Sequence, residues 1–487
     1  MAPSPSIFTT LRSRPSVFRG NIPVNGCIAH PVVADGLNHY IVAPGLDTRS
    51  GITGAYLLAR EAELDSANQV RYQMISAPSG AFFLWAVMWV VAEKYSVIGH
   101  PKNRGKKYNI CFVLTTSAFA ETTVYTASLD DESAVDVSGT QQLTLSGVTV
   151  QKTDGNASSA DAASFRGVNS AIRVYDNAVL TISDSVIEAT AQNATGVFAY
   201  DHGTIYISDC DVTVTGGGAG GVQVAGGGTL IGSNLTVTSA SKAAIRSDRG
   251  GGTMVLTGGS YTSTGKNGCP AIYSTADITV KDAVCASEQS RAVIIEGKNT
   301  VTLENVTIEG NDQSTKEGSV KANVLLYQSA SGDASMGTSV FTMTGGEMTS
   351  RSGAMFYCTN TDSIINLENA KLNLSDDNTL LIVSAGRWGK DGRNGGDCVV
   401  NVQDQTLEGT IVVDDISSLE IHLKNSAYTG AINETGDAGK VSLTLSDTST
   451  WTLTAESNIS SFSGNPQNVI SNGFTLYVNG IALSGTK

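Results

Sequence analysis

Leu180–Ala189 reads LTISDSVIEA, and twenty-five residues later Ile205–Val214 reads IYISDCDVTV. Each is a strand of alternating apolar and polar residues, a polar corner with Asp at its centre, and a second alternating strand. Period-two alternation rich in β-branched residues argues for β structure, and the polar pair between the strands argues for a bend. The same block recurs as LTLSGVTV from Leu143, MVLTGGSYTS from Met254, ITVKDAVCAS from Ile278, VTLENVTIEG from Val301, FTMTGGEMTS from Phe341 and IINLENAKLN from Ile364.

A second block precedes these in each unit: AIRVYD from Ala171, GVFAYD from Gly196, GVQVAG from Gly221, AIRSDR from Ala244, AIYSTA from Ala271, AVIIEG from Ala292, VLLYQS from Val324, AMFYCT from Ala354 and LLIVSA from Leu380. The second residue of each recurs at steps of 25, 25, 23, 27, 21, 32, 30 and 26 residues. Two or three short strands in that span make one coil of a right-handed parallel β-helix. A hexapeptide solenoid needs about 18 residues per turn and a propeller blade about 40 or more, and neither fits. The expected fold is therefore all-β, a solenoid of about 10–12 coils, each adding about 4.8 Å of length.

The composition agrees with that reading. Fifty-two glycines supply corners, while proline, which would delete a ladder hydrogen bond, is scarce: eight of the ten precede residue 107, leaving Pro270 and Pro466. Ile172, Val197, Val222, Ile245, Ile272, Val293, Leu325, Met355 and Leu381 are expected to stack as one inward column. After Leu407 the spacing shortens, through LEIHLKNS from Leu419, VSLTLSDTSTWTLTA from Val441 and FTLYVNG from Phe474. These read as further coils and a cap, with Trp451 as a plug over the open stack end rather than a ligand platform. Three segments are thus expected: a leader or cap over 1–120, coils over 121–410, and terminal coils with a cap over 411–487.

Charge divides the chain in the same place. Residues 1–107 hold 11 Lys+Arg against 6 Asp+Glu, a net of +5, whereas the remainder carries −19 of the overall −14. An acidic rod is a poor match for a phosphate backbone, so nucleic acid is not an expected partner. No 18-residue apolar run exists, so no membrane span is expected. Ala81–Ala92 (AFFLWAVMWVVA) would reach only about 18 Å as a helix, which suits a buried helix or a signal-like core. Lys106-Lys107, the short apolar run Tyr108–Ser117 and Ala118-Phe119-Ala120 have the layout of a secretory signal within 102–120. The alternative there is a buried strand followed by a small-residue turn. An export signal would make Glu121 the mature start and the chain secreted or surface-exposed.

The repeated I/V-x-V-x-D/G-S-x-V/I coils resemble bacterial secreted and cell-surface β-helix proteins of the pectin-lyase-like superfamily, particularly adhesin-like members, over roughly residues 121–487. That resemblance implies fold more than function, since such coils carry enzymes, adhesins and glycan binders alike. Polygalacturonases of this group carry Asn-Thr-Asp, Asp-Asp, Gly-His-Gly and Arg-x-Lys in order, their paired carboxylates serving as acid and base. Asn360-Thr361-Asp362 and Asp376-Asp377 match the first two. The rest fail: His202-Gly203 lies far upstream, His422 is the sole downstream histidine, and Arg387 and Lys390 are wrongly spaced. Pectate lyases need clustered acidic calcium ligands; Asp209 and Asp211 flank Cys210 but read equally as a polar corner. Calcium is thus without a clear motif, and no cofactor is expected.

Other chemistry is no better supported. No G-x-S-x-G elbow, C-x-x-C or H-x-x-x-H occurs, and Gly216–Gly218 and Gly226–Gly228 lack the Lys-Ser/Thr of a phosphate loop. Cys210, Cys269, Cys285, Cys358 and Cys398 read as small apolar fillers, with a Cys269–Cys285 bridge left open. The candidate binding residues lie beside the inward column: Arg173, Phe198, Gln223, Arg246 and Tyr273 in one outward row, with Tyr175 and Tyr200 next to it. Rings that stack on sugar faces, interleaved with groups that reach hydroxyls, suit a glycan; an ordinary solvated sheet face is the plainer alternative. Further along, Ile294, Leu326, Phe356 and Ile382 are expected to form an apolar partner surface. A second feature is the loop Gly386–Asn394, whose Arg387, Trp388 and Lys390 suit an acidic sugar. The functional expectation is a non-catalytic, adhesin-like protein that binds a polysaccharide or a cell-surface partner. A lyase or glycoside hydrolase and a structural stalk are the alternatives.

Overall fold

A computed structural model describes residues 122–487, apart from 267, 317, 437 and 438, together with five short strands before residue 122. The chain divides into two compact units, 1–121 and 122–487. In the first, Cys27–Ala34 pairs antiparallel with Leu37–Ala43. Ala81–Ala92 and the signal-like stretch 102–120 lie outside the described residues.

The second unit is a parallel β-helix. Three long sheets of 11, 13 and 10 strands run its length, every strand pairing in parallel with its equivalent one coil away. A representative coil runs from Ile172–Val174 in the first sheet to Val179–Ser183 in the second and Val186–Ala189 in the third. The third sheet breaks after Lys371–Asn373, and Thr406–Glu408, Ala427–Thr429, Thr450–Thr452 and Val469–Ile470 form a separate four-stranded sheet. The C-terminal end closes on an antiparallel pair, Leu476–Val478 with Ile481–Ala482. Trp451 is not a plug but an interior residue of this last part. It is fully buried in register between Tyr428 and Val469, and its indole N–H donates to Gly430 O at 2.9 Å.

The corners explain the residue pattern. Between second and third sheets the corners turn in the left-handed region, through one Asx residue as at Asp184, Asp209 and Asn234 (φ 52° each), Asp282 (50°) and Asn305 (55°), or through a glycine pair as at Gly258 and Gly259 (68° and 85°). Glycine, Asn and Asp adopt that conformation at least cost. Stacked Asx side chains also bond between coils: Asn305 Nδ2 donates to Asp282 Oδ1 at 2.8 Å and Asn234 Nδ2 to Asp209 Oδ1 at 3.2 Å. Asp209 is therefore a corner residue. His202 is another, at φ 60° in the turn between first and second sheets.

The inward column differs from expectation at two places. Ile172, Val197, Val222, Ile245, Ile272 and Val293 stack as read, but Val324 and Phe356 follow, then Leu381. Leu325 instead shares the outward row with Ile294, Tyr357 and Ile382, while Leu326 and Phe356 point in. The cause is burial on both faces. Ala322–Tyr327 and Ala354–Thr359 are buried at every position, so the alternation that fixes register disappears.

Candidate functional site

The coils are regular except where connections lengthen, and four insertions border the first sheet. Residues 153–171 and 311–321 lead into it, and residues 328–338 and 384–396 lead out of it. In a solenoid, insertions gathered on one face mark the surface that departs from pure scaffold.

The first insertion carries helix α1 (Ala160–Arg166), capped by Ser159, whose side chain accepts from Ala162 N, and ended by Gly167 at φ 65°. It lies against the outward face of Ile172–Val174, Val197–Tyr200 and Val222–Ala225, the second to fourth strands of the first sheet. Gln223 Nε2 donates to Ser164 O at 2.8 Å and Arg173 Nε to Arg166 O at 2.8 Å, occupying carbonyls that the helix end leaves free. A Cβ on Gly167 would stand 2.5 Å from the Phe198 ring, so glycine serves both the turn and the close approach. Phe198 and Gln223 are consequently buried, and neither can meet a ligand. Tyr175 and Tyr200 stay half-buried at the margin, with the Arg173 guanidinium 4.0 Å over the Tyr175 ring.

Beyond α1 the face becomes a closed polar network. Arg246 binds Asp248 through Nη2 at 2.6 Å and lies 4.6 Å over the Tyr273 ring. Tyr273 and Tyr327 both donate to Glu296 Oε2, at 2.5 and 2.8 Å, and Ser329 donates to its other oxygen. Burial raises the hydroxyls of Tyr273 and Tyr327 well above the usual tyrosine range; the Glu296 carboxylate adds to the effect at both and Tyr327 adds to it at Tyr273, whereas the bond with Tyr273 opposes it at Tyr327. Both therefore stay protonated donors. Asp333 reaches back to Arg249 at 2.7 Å, and Arg249 lies 4.1 Å over Phe165 of α1. The first and third insertions are thus tied together across the face.

The fourth insertion completes the site. Asn394, buried, donates to Gly386 O at 2.7 Å and Trp388 O at 2.9 Å, and Asn360 N donates to Gly395 O at 2.8 Å, which together fix the loop's base. Trp388 packs on Tyr327 with ring centroids 4.5 Å apart, and the Arg387 guanidinium lies 4.3 Å from the Trp388 ring. Arg387, Lys390 and Arg393 are exposed. The outward row and the loop, far apart in sequence, therefore meet: Tyr273 and Trp388 both pack against the patch of Ile294, Ala322, Leu325, Tyr327, Ala354 and Tyr357. That patch is covered by the protein itself, so the apolar partner surface expected from sequence does not form.

Sequence reading missed Glu296, Tyr327 and Asn394 as organising residues. Glu296 had a signal, being a lone carboxylate in the otherwise apolar run AVIIEG. Chemically the assembly offers a half-buried indole, three exposed cations and hydroxyl-rich rims. The carboxylates of the buried network are occupied, Asp248 by Arg246 and the backbone N of Arg249, and Glu296 by the hydroxyls of Tyr273, Tyr327, Ser329 and Ser331, while Asp391 on the loop is exposed. Among the described residues no three His, Cys, Asp or Glu side chains converge on a possible metal position.

Fold and site together define a class: an acidic parallel β-helix with its sequence irregularities concentrated on one sheet. Compared with known proteins, the chain matches no family model, no curated protein and no solved structure.

Proposed function

We propose that this chain is a secreted or surface-exposed, adhesin-like β-helix protein of the pectin-lyase-like kind, which binds an acidic polysaccharide at the loop Gly386–Asn394 without cleaving it. One observation carries the reading. Exposed Arg387, Lys390 and Arg393 stand beside Trp388 on a loop whose base is fixed by the buried Asn394, within a chain of net charge −14. Other exposed cations, such as Lys298, Arg351, Lys371 and Lys424, are scattered over the rod, whereas these three share one loop, and a ring beside them suits a sugar face whose carboxylate meets a guanidinium. A fixed loop base also lowers the ordering cost of binding.

The occupied carboxylates favour binding over turnover. Acid–base cleavage of a glycosidic bond needs one carboxyl free to protonate the leaving oxygen and another free to act on water or the sugar. Asp248 and Glu296 instead accept from the protein's own donors.

The test is the full chain and its Arg387→Ala/Trp388→Ala/Lys390→Ala variant on immobilised polygalacturonate, alginate and hyaluronan, with dextran and cellulose as neutral controls. Retention on at least one uronate polymer, weakened about tenfold or more by the triple substitution with an unchanged circular dichroism spectrum, is expected. Release of unsaturated or reducing-end product would support the lyase or hydrolase reading instead. Absence of retention on every polymer would leave a stalk.

A further inference from the structure

We infer that Cys358 and Cys398 form a disulfide bond that locks the base of the Gly386–Asn394 loop to the coil interior. The two residues are 40 apart in sequence and lie on different sheets. Cys358 points inward from the first-sheet strand Ala354–Thr359, and Cys398 from the second-sheet strand Asp397–Gln403 of the following coil. Their sulfurs are 3.5 Å apart and both side chains are buried. Closing that gap to a bond of about 2.05 Å asks each sulfur to move about 0.7 Å, within the reach of small side-chain rotations. The backbones are already in contact here: Ser384 N donates to Cys358 O at 3.2 Å, and a Cβ on Gly396 would fall 2.8 Å from that same oxygen.

The other described cysteines are placed differently. Cys210 donates to Ser208 O at 3.1 Å and Cys269 to Ser241 O at 2.7 Å. Cys285 is enclosed in the core, where burial raises its thiol to about 12. The Cys269–Cys285 bridge left open by the sequence has no such juxtaposition. The inward neighbours Cys358 and Cys398 therefore stand out from fillers by facing each other.

The chemistry needs an oxidant, and a low-molecular-weight disulfide of the glutathione class suffices. One thiolate attacks that disulfide, forming a mixed disulfide and releasing one small thiol. The second protein thiolate then attacks the protein sulfur and releases the other. Two protein thiols lose two electrons and two protons, and one small disulfide becomes two thiols. The bonded hydrogen and burial push the Cys398 thiol well above its ordinary range, so exchange belongs to the folding chain rather than the folded rod. The cross-link encloses the whole 384–396 insertion, and its contribution follows from restricting that loop in the unfolded chain.

The experiment is refolding of the full chain in a glutathione redox buffer, followed by thiol alkylation in denaturant and non-reducing peptide mapping. A peptide pair joined through Cys358 and Cys398, lighter than the separate peptides by two hydrogens, is expected. Reductant is expected to lower the thermal midpoint of wild type by about 5 °C, and to leave the Cys358→Ala variant unchanged. Alkylation of both thiols after oxidative refolding, or a link from either to another cysteine, would overturn the inference. The variant's own spectrum and midpoint show whether it folds. Mapping of wild type decides the matter even where it does not.

Discussion

Asn305 illustrates how one residue is determined in this molecule. Its φ of 55° is a position where a Cβ costs energy, and its side chain repays part of that through Asp282 on the preceding coil. Asn305→Gly should lose only that hydrogen bond, whereas Asn305→Val should lose the bond and about 1–2 kcal/mol of backbone strain; chemical denaturation of the two variants checks the order. Lys242 shows a different constraint. Burial, reinforced by Arg246, lowers its ammonium to about 8, while its Nζ lies 2.6 Å from Ser164 Oγ. The unfolded chain titrates this group near 10.4. Between those values the unfolded state holds the extra proton, so this residue makes stability rise with pH from about 8 towards 10. Lys242→Met should flatten that rise in denaturation measured at a series of pH values. An equal slope in the variant would show that the lysine is not the source.

At the scale of elements, helix α1 is the clearest case of a short segment that tertiary contacts hold in place. Seven residues form no stable helix alone, yet Ser159 caps it, Gly167 ends it against Phe198, and Gln223, Arg173 and Lys242 bond to it from the sheet. Gly167→Ala should therefore destabilise the first coils by about 1–3 kcal/mol, through strain at positive φ and overpacking against the Phe198 ring. Hydrogen exchange should localise the loosening to residues 159–225; unaltered exchange there would contradict this account of α1. The coils themselves were legible from sequence because each strand has one buried and one exposed face. Legibility failed where that contrast failed. Ala322–Tyr327 and Ala354–Thr359 are buried on both faces, so Leu325 and Leu326 exchanged roles. Phe198 and Gln223 read as exposed because sequence gave no sign that an insertion some 35–60 residues earlier folds back over them. Arg387, Trp388 and Lys390 were readable as a unit because a cationic loop stands out in an acidic chain. Their meeting with Tyr327 was not, since it depends on an insertion of one coil folding over a first-sheet strand two coils earlier.

For the whole described rod, the division of labour is between two regular sheets that build the scaffold and one sheet that is modified. Four insertions, a helix, a closed network about Glu296 and a cationic loop all lie along the first sheet. Nothing about the stacking of coils requires that concentration. It is the pattern expected when a scaffold holds a recognition loop in a set position, and the central claim is that the loop recognises an acidic polysaccharide through charge and ring contact. Such binding weakens as salt screens it. The most direct measurement is migration of the full chain through native gels containing polygalacturonate or alginate at increasing ionic strength, beside the Arg387→Ala/Lys390→Ala variant. The account predicts retardation of wild type in one of these polymers at low salt, fading as salt rises, and near-free migration of the variant. Equal retardation of wild type and variant, or free migration of wild type at the lowest salt in both polymers, would contradict it.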